Sequence, residues 1–217
     1  MSSVGEVRPP EVAYIRFMSP VDEVATASLL ATCDALVARG VSTITLLIST
    51  PGGTVFHGIS AYNYLRSLPV ELVTYNFGSV DSIGVVLFCA GQVRKSVPNA
   101  RFMIHGVQAN LAASTGLSED QIQESLKGLQ IDAQNIARII GEHTKKSEDE
   151  IHAAMRAKTT LDPKQAVEFG LLDQIEVLEL PPGVHVHTIQ AQPKGGLTLV
   201  PGPVQFQPGR PMVVATP

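Results

Sequence analysis

Residues 43–53 read Thr-Ile-Thr-Leu-Leu-Ile-Ser-Thr-Pro-Gly-Gly. The first seven form a near-continuous run of apolar and β-branched residues, the pattern of a strand covered on both faces. Pro51-Gly52-Gly53 ends that run. Strands buried on both sides occur in parallel sheets, whose connections must cross over through helices. The flanking sequence supplies such connections. Residues 12–17 are rich in β-branched and aromatic types and read as a strand. Residues 21–39 carry helical spacing at Leu29, Leu30, Cys33, Leu36 and Val37 and stop at Gly40. After the glycines a helix is expected through Leu68, before Pro69. Residues 70–77 read as a third strand, 78–82 as a turn, and 83–90 as a short apolar helix. Two more strands are expected at 92–97 and 101–105, divided by Pro98-Asn99. Repeated strand–helix–strand units imply an α/β fold, a mostly parallel sheet flanked by helices.

Beyond that core, Ser118-Glu119-Asp120-Gln121 is a capping box that opens a long helix. Its apolar residues Ile122, Leu126, Leu129, Ala133, Ile136 and Ile140 recur in steps of 4 and 3, a stripe that suits burial against the domain or a seam with another subunit. Ser147-Glu148-Asp149-Glu150 opens a second helix, running to Ala157, and Asp162-Pro163 with Gln165 a third, closed by Gly170. A last strand is expected at 174–178. From residue 190 the chain holds six prolines and four glycines in 28 residues. The expected organisation is an extension at 1–11, one domain at 12–180, and a Pro/Gly-rich tail at 181–217. Residues 197–200 and 204–206 of that tail could pair as an edge arm.

The 217 residues carry 16 basic and 20 acidic side chains, a net charge of −4. With no basic excess to neutralise phosphates, nucleic-acid binding is not expected. Cys33 and Cys89 both lie in apolar stretches, as buried free thiols of a reducing, cytoplasmic compartment do. No signal peptide and no membrane-spanning run is expected: the longest apolar stretch is 83–90.

Three places carry chemistry. Residues 49–54, Ser-Thr-Pro-Gly-Gly-Thr, put glycine amides between a strand and a helix N-terminus, which suits an oxyanion; a plain tight turn uses the same residues. Ser82, in Gly78-Ser79-Val80-Asp81-Ser82-Ile83-Gly84, sits where strand becomes helix, a geometry that exposes a nucleophile; it is equally an N-cap serine, and Ser79 competes for either role. His105 ends an apolar strand, where parallel sheets place catalytic groups, although a core histidine fits there too. The His185-Val186-His187 pair lacks a further ligand set, so no metal or other cofactor is expected. Serine, histidine and glycine amides are the parts of nucleophilic acyl transfer.

The order of these segments resembles the proteolytic subunit of the Clp protease, within the ClpP/crotonase superfamily. Residues 49–53 look like the family's Asn-Ser-Pro-Gly-Gly segment, and 78–84 like its Gly-Gln-Ala-Ala-Ser-Met-Gly helix start. Pro98-Asn99-Ala100-Arg101-Phe102-Met103-Ile104-His105 closely resembles Pro-Asn-Ser-Arg-x-Met-Ile-His. Residues 166–173 resemble Ala-x-Glu-Tyr-Gly-Leu-x-Asp. The resemblance covers about residues 12–177.

It implies a ClpP/crotonase-like fold with a protruding handle helix after Ser118, in a ring-forming homo-oligomer. It implies a serine endopeptidase: His105 deprotonates Ser82, which attacks a peptide carbonyl to give an acyl-enzyme, while the Gly53 and Ile83 amides hold the oxyanion. Peptides or unfolded proteins would be the substrate. The sequence shows no nucleotide-binding loop, so energy-driven unfolding would need a separate AAA+ ATPase. One member is changed: ungapped alignment places Lys158 at the family's triad aspartate. A charged lysine cannot accept the imidazole N–H. Asp162 lies four residues on, but Asp162-Pro163 reads as a helix N-cap. A backbone carbonyl, another carboxylate or a Ser82–Lys158 pair would be the substitutes. A non-catalytic ClpP-like subunit and a crotonase-type acyl-CoA enzyme are the alternative readings.

Overall fold

The computed structural model describes residues 12–108 and 116–190. In chain order the elements are β1 (Val12–Met18), α1 (Glu23–Ala38), β2 (Thr43–Thr50), α2 (Val55–Ser67), β3 (Glu71–Asp81), α3 (Gly84–Phe88), β4 (Val93–Ser96) and β5 (Arg101–Ile104). Then come α4 (Glu119–Thr144), α5 (Glu148–Arg156), β6 (Thr159–Leu161), α6 (Pro163–Phe169), β7 (Gln174–Ile175) and β8 (Val186–Gln190). Eight strands form one sheet, with the path β6-β5-β3-β2-β1-β8 and a branch through β4 to β7. Every pairing is parallel except β5–β6.

The β2 run is buried as its composition requires: Ile44, Leu46 and Ile48 are fully enclosed, as are Ile15 and Phe17 beside them. Each such side chain contributes about 1.5–3 kcal/mol of burial. Phe88 of α3 and Phe102 of β5 meet edge to face at 5.0 Å, tying the helix that follows β3 to the neighbouring strand.

β3 has two successive neighbours on one side, β4 along Val73–Asn76 and β5 along Ser79–Asp81. On the other side its register with β2 shifts: Ile48 pairs with Asn76 and Thr50 with Val80, two steps against four. The expected turn at 78–82 is therefore mostly strand. β3 bulges at Gly78, whose missing Cβ would lie 2.9 Å from Ser49 Oγ, and runs on to Asp81. Residues 78–81 stay extended because β5 gives them a partner.

The capping boxes at Ser118, Ser147 and Asp162 all form. The stripe of α4 divides: Ile136 and Ile140 are buried, while Ile122 and Leu126 are about half exposed. Two strands were not expected. β6 is three residues between helices, too short for periodicity to register. β8 extends the sheet past residue 180, pairing Val186–Gln190 with β1. Its His and Thr residues lack strand-like alternation because it is an edge. The strand expected at 174–178 is only Gln174–Ile175, since β4 offers it two partners. The extension at 1–11 and the arm at 197–206 lie outside the described residues. Among those described, no helix is long and apolar enough to cross a membrane.

Candidate active site

The end of β3 carries a backbone outlier. Ser82 has φ of 60°, a left-handed conformation uncommon for a residue with a Cβ. Such strain persists only where the surroundings over-determine it. Here the Ser82 amide donates to the Met103 carbonyl at 2.7 Å, and α3 starts two residues later. Gly52 packs directly on Ser82: a Cβ there would lie 2.5 Å from Ser82 Cβ and 2.8 Å from the Asp81 carbonyl oxygen. With φ of 89° as well, position 52 admits only glycine.

Gly53 is fixed by a parallel bridge to Val21. Val21 N–H donates to Gly52 O and Thr54 N–H to Val21 O, both at 2.8 Å. In a parallel bridge the central residue's own amide faces the opposite side, so the Gly53 N–H points away from Val21. Its missing Cβ would strike Val21 O at 2.3 Å. Gly58 of α2 leaves room for Ile83, whose Cγ1 would sit 2.2 Å from a Cβ there. The glycines of this segment thus let three backbones converge.

His105 follows β5 directly. Its Nδ1 lies 2.7 Å from the Gly106 carbonyl. A carbonyl only accepts, so Nδ1 carries the proton and the neutral ring keeps its lone pair on Nε2. Among the described contacts no hydrogen bond joins the ring to Ser82 Oγ. Ser82, His105, Gly53 and Ile83 nevertheless line one cavity of about 190 Å³. Val55, Ile104, Ile136 and Ile140 form its apolar wall. Sequence reasoning assigned Ile136 and Ile140 to helix packing; their place in the wall follows from α4 packing beside α3.

The other singled-out residues do not join the cavity. Asp162 caps α6, accepting from Gln165 N–H at 2.9 Å. Lys158 is exposed, with φ of 51°. The β5–β6 ladder pairs Phe102 with Leu161, Met103 with Thr160 and Ile104 with Thr159. Carried one step further, that register would set His105 opposite Lys158, which lies in the turn just before β6. Ser79 bonds Asp81 Oδ1 at 2.7 Å, and Arg101 pairs with Asp81 Oδ2 at 2.9 Å, a link the sequence did not suggest.

Cys33 and Cys89 are buried free thiols outside the cavity, and burial, reinforced for Cys33 by Asp34, pushes both up to about 12. His185 and His187 stack edge to face at 4.5 Å, and among the described residues no cluster of three or more His, Cys, Asp or Glu could hold a metal.

The family model described as Clp protease matches residues 11–178. The chain is 36% identical over 134 residues to the ATP-dependent Clp protease proteolytic subunit of Bdellovibrio bacteriovorus, covering 61% of this chain and 63% of that one. It therefore spans just under two thirds of that relative's length. It is 32% identical over 158 residues to the ATP-dependent Clp protease proteolytic subunit 1 of Streptomyces avermitilis, covering 71% of each. Among solved structures, a ClpP1 point mutant from Listeria monocytogenes superposes with a TM-score of 0.68 at 21% identity, over 75% of this chain and 90% of that one. That likeness bears on the fold. With the family match spanning most of the sequence, the chain belongs to the Clp protease family.

Proposed function

We propose that the chain is the proteolytic subunit of a Clp-like serine peptidase, with Ser82 as nucleophile and His105 as general base. The observation that carries the reading is the strained Ser82 turn opening into the same cavity as His105 and the Gly53 and Ile83 amides. In the reaction Nε2 takes the Ser82 hydroxyl proton as Oγ attacks the peptide carbonyl. The tetrahedral oxyanion accepts from the Gly53 and Ile83 amides, and the imidazolium then protonates the leaving amine. Water, deprotonated by the same ring, releases the acyl group. The imidazole is oriented by the Gly106 carbonyl rather than by a carboxylate. A carbonyl fixes the tautomer but brings no full negative charge to stabilise imidazolium, so turnover is expected to be slow.

A fluorophosphonate serine-hydrolase probe tests this without knowledge of the substrate. Wild type should be labelled, and Ser82→Ala and His105→Ala should not. An unlabelled wild type would sink the reading and favour a non-catalytic subunit, the alternative that Lys158 opposite His105 supports. No observation favours the acyl-CoA reading.

The half-exposed Ile122, Leu126 and Ile131 of α4 support a homo-oligomer, with a ring as its form. Sedimentation velocity of Leu126→Asp should show smaller particles than wild type; an unchanged mass would remove α4 from the interface. Peptides or unfolded proteins are the proposed substrate, delivered by a separate AAA+ ATPase, in keeping with the ATP-dependent names of the relatives. A cytoplasmic location accords with two free, buried thiols.

A further inference from the structure

β5 is only four residues long, and its parallel ladder with β3 has three pairs: Ser79 with Arg101, Val80 with Phe102 and Asp81 with Met103. So short a ladder specifies its register weakly. A slip of one residue would turn Phe102 out of the core. A slip of two keeps apolar residues inward, because Ala100, Phe102 and Ile104 are all buried on the same face. Such a slip would carry His105 about 6.6 Å along β3 relative to Ser82.

Beyond the Phe88–Phe102 contact, what distinguishes the two registers is polar. Asp81 is buried, its side chain 7% exposed, and it sits one residue before Ser82. Its Oδ2 accepts from Arg101 Nη2 at 2.9 Å and its Oδ1 from the Ser79 hydroxyl at 2.7 Å. Arg101 Nε closes the triangle on Ser79 Oγ at 2.9 Å. The main chain of Arg101 is held as well, its carbonyl accepting from Asn76 Nδ2 at 2.8 Å. Moving β5 by two residues would leave the Asp81 carboxylate buried without its cation, a costly state. Arg101 and His105 lie on one strand, and Asp81 and Ser82 are adjacent on another.

We infer that Asp81 is a positioning residue: through Ser79 and Arg101 it fixes the register of β5 on β3 and so the placement of His105 against Ser82. The inference rests on the peptidase reading for its catalytic consequence, but the clamp itself is a property of the fold. Its partner Arg101 is 60% exposed, so little of the core depends on that side chain.

The test compares wild type, Asp81→Asn, Arg101→Met and the double variant by two readouts. The first is the fluorophosphonate labelling rate resolved into its maximal value and its half-saturating probe concentration. The maximal rate should fall about 10- to 100-fold, the cost of small misplacement, while half-saturation stays put. The double variant should be no worse than either single one, because all three remove the same clamp. It also buries no lone charge, so it keeps the measurement valid where a single variant fails to fold. The second readout is hydrogen exchange of the Ser82 amide, which donates to Met103 O. It should quicken at least about tenfold in each variant. Unchanged exchange overturns the clamp whether or not wild type is labelled. Labelling of wild type and variants at equal rates overturns the positioning role, whereas an unlabelled wild type with quickened exchange overturns only the peptidase reading.

Discussion

Two corners of one cavity are built to different standards. At the Ser82 corner nearly every contact is steric and exclusive. The residue is held left-handed, Gly52 lies against its Cβ, and Gly58 gives way to Ile83. A single added methyl would collide with a neighbour at either glycine. At the His105 corner the imidazole is held by one bond to the next residue's carbonyl. Gly106 itself has nothing within 4 Å of where a Cβ would stand, and the turn leading into the strand opposite carries Lys158. The contrast separates two requirements of acyl transfer. On the peptidase reading, placing the nucleophile and oxyanion amides is a matter of backbone geometry, and Gly52, Gly53 and Gly58 supply the close approaches it would use. Stabilising charge on the base needs a carboxylate, and the carboxylates that the register or the sequence brings near are engaged elsewhere: Asp81 with Arg101 and Asp162 with its own helix.

The largest effect should come from the tight corner. Gly52→Ala forces a Cβ to within 2.5 Å of Ser82 Cβ at a positive φ, so labelling of the folded protein should drop about 100-fold. Labelling at the wild-type rate would show that corner to be slack. The loose corner should respond in the opposite direction. Lys158→Asp places a carboxylate at the register position facing His105, and peptide turnover should rise about tenfold, part of the ~10⁴-fold that an orienting carboxylate supplies elsewhere. No gain would show that the Gly106 carbonyl already does all the orienting that this corner admits.

The smallest effect lies behind the cavity's apolar wall, on α4. Burial, ahead of the nearby Arg94 and Arg66 guanidiniums, lowers His143 from 6.5 to about 4, and Nε2 pairs with the Tyr62 hydroxyl at 2.9 Å. The unfolded chain takes up this proton near 6.5 while the folded one resists it. Stability from the neutral ring is therefore present above pH 6.5 and is lost as pH falls towards 4. His143→Gln should lose roughly 3–7 °C less Tm than wild type over that interval by calorimetry. Equal losses would mean that another group carries the acid sensitivity.

How far these corners could be foreseen follows the same division. Residues 43–49 announced a doubly covered strand, and the capping boxes at Ser118, Ser147 and Asp162 stand where Ser-x-x-Gln, Ser-x-x-Glu and Asp-Pro-x-Gln placed them. Those signals are local, and local chemistry fixes them. Ser82, His105 and the Gly52-Gly53 amides were legible as types at strand ends, Ile83 only through the family resemblance, and Ser82, His105, Gly53 and Ile83 line one cavity. What escaped was non-local. The extension of β3 through Gly78 to Asp81 depends on β5 being beside it, and β6 and β8 are strands only because a neighbour pairs with them. The Asp81–Arg101 link spans 20 residues and belongs to no local motif.

One of those unforeseen strands bears on how the molecule is made. β1 lies between β2 and β8, and Arg16 Nη2 reaches Thr188 Oγ1 across a separation of 172 residues. The first strand described is thus completed by the last one described. At synthesis rates of about 5–20 residues per second, β1 presents one bare edge for roughly ten to thirty-five seconds before its second neighbour exists. Bare edges recruit other strands, so nascent copies of this chain on one message are each other's nearest hazard until residue 190 emerges.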